Sequence, residues 1–450
     1  MSFRLFAQSG HSSLVRHARG AAPGYGQGLL SWYETFVLGA ALAALYSNVP
    51  VYGYLLKPAL LPKYTYFGIF VLMVPILVIK YRDLRAYLIS PFVLWAGLFL
   101  ALNLIHLTGF AAGADISGIY LVDDQLEARR SLIMTRAQYV AFAIFFGFIV
   151  YASSNRRYLY ALVFLMGFLP SMVLLDFIRP GLFYPIETDG AVLGRAAAMF
   201  INPTMAGEAI LLVYLLGCAA IRIAYRGPLL LLAGAAILTT FSRASILAWI
   251  LIFLILTCRK MLPRSAIITA AIVFGISVLF LGSFQTYLNS RQEFDAAAGN
   301  LVSRLDFFSS FTFNDDSSQE RAGVIRAGWE LFLQDPIFGA GAGATLFWSH
   351  RASTHNQLLL LAAEYGIFGV GLWLWLLVIL WKGKFFEDKG LQFAMAFLFA
   401  FMSLFTHQMM DAATYWLATF ALISVRKNNG GLARSKSIAP KYKSLLAGLK

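Results

Sequence analysis

The run LLLLAAEYGIFGVGLWLWLLVILW fills residues 358–381 and contains one charged side chain, Glu364. A helix rises about 1.5 Å per residue, so a run of this length reaches across the roughly 30 Å hydrocarbon layer of a bilayer. In hydrocarbon a helix satisfies its own backbone polar groups, which makes the helical reading the default. Comparable runs recur along the chain. The reading is an all-α polytopic integral membrane protein with about twelve spans, near 30–49, 64–79, 88–107, 137–151, 159–176, 204–221, 229–241, 245–257, 265–281, 358–381, 391–406 and 411–425. The ten-residue alternating segments of a β-barrel are absent.

Composition agrees. The 450 residues are 59% hydrophobic and 13% charged, with a mean hydropathy of +0.70. A soluble domain carries about twice that charge fraction. Arg4, Arg16 and Arg19 precede a polar, glycine-rich stretch rather than an apolar one, so the N-terminus does not read as a cleavable signal peptide. Cys218 and Cys258 offer neither a disulfide framework nor a metal site.

An even span count puts both termini on one side. The linkers facing that side hold Lys80, Arg82 and Arg85, then Arg156 and Arg157, Arg259 and Lys260, and Lys382 and Lys384, with few acids beyond Asp83, Glu387 and Asp388. This is the positive-inside pattern, so both ends are expected in the cytoplasm. The net charge of +14 then reports topology and contact with anionic lipid headgroups, and a nucleic-acid partner is set aside. The expected organisation is a cytoplasmic segment 1–29, nine spans in 30–281, a large periplasmic loop 282–357, three spans in 358–425 and a basic cytoplasmic tail 426–450. The absence of matching broken helices argues against a transporter.

The long loop carries the first candidate residues. Ser317 and Glu320 have capping-box spacing, which predicts a helix running to Asp335-Pro336 with an apolar stripe of Val324, Ile325, Gly328, Leu331 and Phe332. Arg321 then falls in its first turn, where a cation opposes the helix dipole unless an anion such as phosphate, or Asp316 or Glu320, offsets it. Asp335-Pro336-Ile337-Phe338-Gly339-Ala340-Gly341 stops that helix. It follows no strand, so its glycines are expected to admit close backbone approach by a ligand or another helix. Thr354 and Gln357 repeat the capping spacing, putting His355 at the first position of the next helix. The positive helix end there favours a neutral imidazole, suited to a general base; a structural histidine is the alternative. Arg195 precedes the sixth span and Arg243 lies between two apolar runs, each needing a partner or an interfacial position. Glu208, inside the sixth span, is expected to find an arginine. His407 and Asp411, near the outer ends of the last two spans, are either a second polar pair or without a role. Asp123-Asp124 is the nearest approach to a metal site, and adjacent aspartates rarely suffice without other ligands.

Together these pieces resemble the O-antigen ligase and polymerase superfamily of bacterial surface-polysaccharide enzymes. The matching stretches are Thr240-Phe241-Ser242-Arg243-Ala244-Ser245, then Arg321…Trp329…Asp335-Pro336-Ile337-Phe338-Gly339-Ala340-Gly341, then His355-Asn356-Gln357-Leu358-Leu359…Glu364-Tyr365-Gly366-Ile367-Phe368-Gly369. Gly194-Arg195…Asn202-Pro203 resembles the family's arginine loop, with Thr204 where the pattern has Asn. The resemblance covers about residues 190–380. It implies a GT-C-like glycosyltransferase of the bacterial inner membrane with its active site on the periplasmic side. Such an enzyme moves a glycan from undecaprenyl diphosphate to an acceptor hydroxyl, lipid A–core for a ligase or another glycan for a polymerase, by an inverting route without metal or other cofactor. Arg195, Arg243 and Arg321 would hold the diphosphate, and His355 would be the base, with Asn356 and Glu208 in support. A lipid-linked glycan flippase, and a metal-dependent oligosaccharyltransferase using Asp123 and Asp124, are the competing readings.

Overall fold

The computed structural model describes residues 25–107, 126–153, 156–184, 195–269, 272, 316–348, 350 and 353–425. The regular elements among them are helical, in the order α1 (Tyr25–Tyr46), α2 (Val49–Leu56), α3 (Pro62–Ile79), α4 (Leu84–Leu88), α5 (Pro91–Leu107), α6 (Leu126–Ala152), α7 (Leu159–Ile178), α8 (Pro203–Gly217), α9 (Ile223–Thr239), α10 (Arg243–Cys258), α11 (Asp316–Gln334), α12 (Gln357–Lys382), α13 (Lys389–Met402) and α14 (Thr414–Ser424). Five stretches are long and apolar enough to cross a membrane: Gly28–Tyr46, Pro62–Ile79, Glu127–Ala152, Leu159–Ile178 and Gln357–Lys382. A sixth crossing forms if Tyr81–Leu88 and Pro91–Leu107, bent by 72°, act as one span. Helices α8, α9, α10, α13 and α14 are apolar but shorter. The chain is a helical membrane protein with five helices, or six spans counting the bent pair, long and apolar enough to cross a membrane among the described residues, where twelve spans are expected over the whole chain. Most of the expected span 265–281 lies outside those residues, as do Asp123, Asp124, the tail 426–450, and the loop from 282 to 315.

Polar caps set several boundaries. The Asn202 side chain accepts from Thr204 N at 2.9 Å where α8 begins, and Asn356 accepts from Leu359 N at 3.0 Å where α12 begins. Each satisfies an amide that the first helical turn leaves open. Small residues then let helices approach closely. Gly207 lies against Ser245, Gly217 against Met166, and Gly147 against Tyr87 and Ala421; a Cβ at any of them would collide. Hydroxyl and indole groups tie distant helices inside the bundle: Tyr46 to Thr419 at 2.7 Å, Tyr66 to Thr414 at 2.6 Å, and Trp95 Nε1 to the Leu372 carbonyl at 3.0 Å.

Helix α11 packs across the N-terminal part of α12. Val324, Ala327 and Leu331 bury against Ala340, Ala344, Trp348 and Ala363. The buried stripe therefore runs through 324, 327, 328 and 331, whereas Ile325, expected inside, is exposed. Helix α12 breaks at Gly366, where φ is 60° and ψ −142°. The glycine loop after α11 completes the break. Ala340 N donates to Ala363 O at 2.9 Å, Gly341 N to Glu364 O at 3.0 Å, and Ile367 N to Pro336 O at 2.8 Å. Its glycines admit close approach by another helix, one of the two expected uses. A Cβ on Gly339 would sit 2.5 Å from the Glu364 and Tyr365 backbone, and one on Gly366 would meet the Ile337 carbonyl.

Candidate functional site

One turn brings two of the expected arginines into the same neighbourhood, by anchoring Arg195 and by leading into Arg243. Arg195 donates from Nε to the Thr240 carbonyl at 3.1 Å, and Ala196 N donates to Thr239 O at 3.1 Å. Three residues past Thr240, Arg243 opens α10 behind the Ser242 cap. Thr204, which departs from the family pattern, shares a hydrogen bond with Ser242 at 2.9 Å, and Ser245 donates to Ser242 at 3.0 Å. This hydroxyl chain locks the starts of α8 and α10 together. The Arg195 loop is held from the other side by Asp176, whose Oδ2 accepts both Ala197 N and Ala198 N at 2.9 Å.

His355 does not open a helix. It precedes the cap residue Asn356, in the left-handed region at φ 50°. Thr354 is not the cap: its hydroxyl donates to Asn356 O at 3.0 Å. The asparagine side chain reaches the third amide better placed than the threonine one position earlier, so α12 begins at Gln357. His355 therefore lies outside the first turn of α12, and its imidazole does not occupy the first helical position where the helix end would favour the neutral form. Its ring instead meets His407 edge to face, with centroids 4.9 Å apart. Gln357 fixes this contact: its N donates to Ser403 O at 2.7 Å, and its Oε1 accepts from Met409 N at 3.0 Å. His407, in the connection between α13 and α14, is held neutral down to about pH 4, first by burial and then by His355. Ala198, Phe241 and His355 are all non-glycine residues at φ near 50°. Such strain persists only where the surroundings enforce it and collects at functional sites.

Arg321 is exposed and at least six residues into α11, farther from the helix start than capping-box spacing predicts, because the helix already includes Asp316. Gly328 lies two turns along the same face and touches Thr354. Arg321 thus lies on the stripe leading to His355, about 10 Å farther out. Glu208 is fully buried, but its partners are Tyr415 Oη at 2.9 Å and Trp416 Nε1 at 3.2 Å, not the expected arginine. Both neutral donors meet Oε2, without a second buried charge, while Oε1 is buried with no hydrogen-bond partner.

Sequence reading missed the strongest ionic cluster. Arg136 on α6 is buried and reaches Glu364 Oε2 through Nη1 at 2.6 Å, Asp411 Oδ1 through Nε at 2.6 Å, and Asp411 Oδ2 through Nη2 at 3.1 Å. Its Nη1 also donates to Tyr365 Oη at 3.0 Å, which donates to Asn103 Oδ1 at 2.9 Å. Asp411 therefore pairs with Arg136, while His407 packs on His355. The expected span begins at 137, one residue past Arg136, whereas the helix runs from Leu126 to Ala152; a charge one turn inside an apolar run is the sequence signal for such a residue. Arg129 and His106 brace the glycine loop, Arg129 Nε on Ala342 O at 3.0 Å and His106 Nδ1 accepting from Ala342 N at 3.0 Å. Among the described residues, no three His, Cys, Asp or Glu side chains gather as metal ligands do.

Residues 228–374 match the family model described as O-antigen ligase. The similarity to the O-antigen ligase and polymerase superfamily thus holds over a stretch carrying Arg243, Arg321, His355 and Asn356, while Arg195 and Glu208 lie ahead of it. No curated protein matches the chain.

Proposed function

We propose that this protein is a membrane glycosyltransferase of the O-antigen ligase type, moving a glycan from undecaprenyl diphosphate to a hydroxyl of lipid A–core at the periplasmic face of the bacterial inner membrane. The observation that carries the reading is the anchoring of Arg195 on the Thr240 turn that leads into Arg243, combined with the O-antigen ligase match over 228–374. Guanidinium groups bind phosphate oxygens in a bidentate way. Arg195 and Arg243, joined by Arg321 at the rim, hold the diphosphate and offset the charge that develops on it. The acceptor oxygen attacks the anomeric carbon from the opposite face. The carbon–oxygen bond to the phosphate breaks, undecaprenyl diphosphate leaves with the electron pair, and His355 takes the acceptor proton. The anomeric configuration inverts, and the arginines do the work a metal does elsewhere. Asn356 holds His355 at its helix start, and Glu208 braces the bundle beneath. In this arrangement the bent pair and the five shorter helices bring the crossings to eleven, the span expected at 265–281 makes the twelfth, both termini are cytoplasmic, and 282–357 is the periplasmic loop.

The test uses purified protein, a synthetic undecaprenyl-diphosphate glycan and two acceptors, with EDTA present. Product on lipid A–core supports the ligase. Longer lipid-linked chains would replace it with a polymerase of the same chemistry. Activity that needs Mg²⁺ would remove the metal-free step. Translocation of the lipid-linked glycan with no transfer product would remove the enzyme reading in favour of a flippase.

A further inference from the structure

We infer that Arg136 is a positioning residue for His355, acting through both segments that wall it in. The inference rests on the transfer reading above. Arg136 touches neither histidine; its effect passes through two carboxylates. On one side it grips Asp411 with two hydrogen bonds, at 2.6 and 3.1 Å. Asp411 lies four residues after His407 in the same connection, and His407 is the ring against which His355 rests. On the other side it grips Glu364 Oε2 at 2.6 Å, and Glu364 Oε1 accepts from the Thr345 hydroxyl at 3.2 Å. Ser353 donates to Thr345 at 3.4 Å, two residues ahead of His355. A single guanidinium thus links α6, the N-terminal part of α12 and the α13–α14 connection.

The choice of side chain follows from the geometry. Two carboxylates approach from different directions, and four hydrogen bonds to three residues use most of the guanidinium's fixed fork. A lysine has one nitrogen and cannot hold both carboxylates in these positions. The left-handed backbone at His355 makes the tie necessary, because a strained residue keeps its conformation only while its surroundings fix it. A shift of about 1 Å at a reacting group can cost on the order of 10²-fold in rate.

The test compares wild type with Arg136→Lys. Removing the charge outright leaves two buried carboxylates and risks misfolding, so a triple variant, Arg136→Met with Glu364→Gln and Asp411→Asn, serves as the charge-balanced second case. For both we expect KM for the lipid-linked donor to stay within about threefold while kcat falls about 10²-fold. In a His355→Ala background, Arg136→Lys should add little, because its effect passes through the missing imidazole. In substrate-free protein, acylation of His355 by diethyl pyrocarbonate, read by mass spectrometry, should change at least threefold. An equal fall in kcat with and without His355, or unchanged His355 acylation in both variants, overturns the inference. If wild type transfers no glycan to any acceptor, the transfer reading fails by itself, and the acylation rates still decide whether Arg136 positions His355.

Discussion

His355 and His407 meet edge to face with ring centroids 4.9 Å apart, although they lie on separate segments joined by the whole of α12 and α13. The contact gives the candidate base a neighbour that resists protonation. His407 is held near pKa 4, mainly by burial, and its folded value lies below that of the unfolded chain. The unfolded chain therefore binds the extra proton, and stability falls as pH drops from about 6.5 towards 4. Over that window His407 should cost about 2–3 kcal/mol. His407→Phe keeps a ring but cannot titrate. Its melting temperature in detergent should decline less steeply between pH 7 and 4.5 than wild type; parallel curves would refute the assignment.

Removing the candidate base should separate binding from chemistry. His355→Ala is expected to lower kcat by about 10²–10⁴ and to leave donor affinity within a few-fold. Isothermal titration with undecaprenyl diphosphate, beside single-turnover transfer rates, checks both halves.

Arg195→Gln and Arg243→Gln should each lower the transfer rate by about 10²–10³. Because the Thr240 turn anchors Arg195 and leads into Arg243, their combined loss should be smaller than the product of the single losses. Arg321, exposed at the rim, should show the weakest effect of the three. Rates for the three single variants and the Arg195/Arg243 double variant decide this.

Asp176 accepts two backbone amides of the Arg195 loop. Asp176→Ala leaves both without that acceptor and should destabilise the fold by about 1–3 kcal/mol. Donor KM should rise more than kcat falls, since the loop presents Arg195 to the phosphates. A variant with wild-type KM and melting temperature would show that the loop holds without it.

Gly366→Ala combines φ 60° with a collision on the Ile337 carbonyl, and Gly339→Ala collides with the backbone at Glu364. Each should lose at least about 2 kcal/mol. Gly371, with open space around its Cα, is the control and should tolerate alanine. Thermal melts of the three variants test the contrast.

Hydropathy alone carried the helical class and most helix positions, because a span long enough for hydrocarbon leaves little ambiguity. The family-like motifs point to Arg243, His355 and the glycine loop because each is local in sequence. Arg136, Asp176 and Asn103 stayed hidden for a different reason. The partners that give them their place here, Asp411, Ala197 and Tyr365, lie 21 to 275 residues away, and nothing in a neighbouring stretch announces them. His355 was found, but its backbone was misjudged, since Thr354 and Asn356 both offer a capping side chain and only packing chooses between them. Glu208 was given the simplest partner, a charge, whereas the bundle provides a phenol and an indole.

The break at Gly366 bears on how the protein is made. Helix α12 leaves the insertion machinery with Ala363, Glu364 and Ile367 short of their helical partners, and those groups are completed only by backbone from the loop that precedes it in the chain. The N-terminal part of α12 therefore cannot finish as an autonomous hairpin in lipid. It matures when residues 336–341 fold back onto it, so membrane integration of this helix and folding of that loop are one step rather than two.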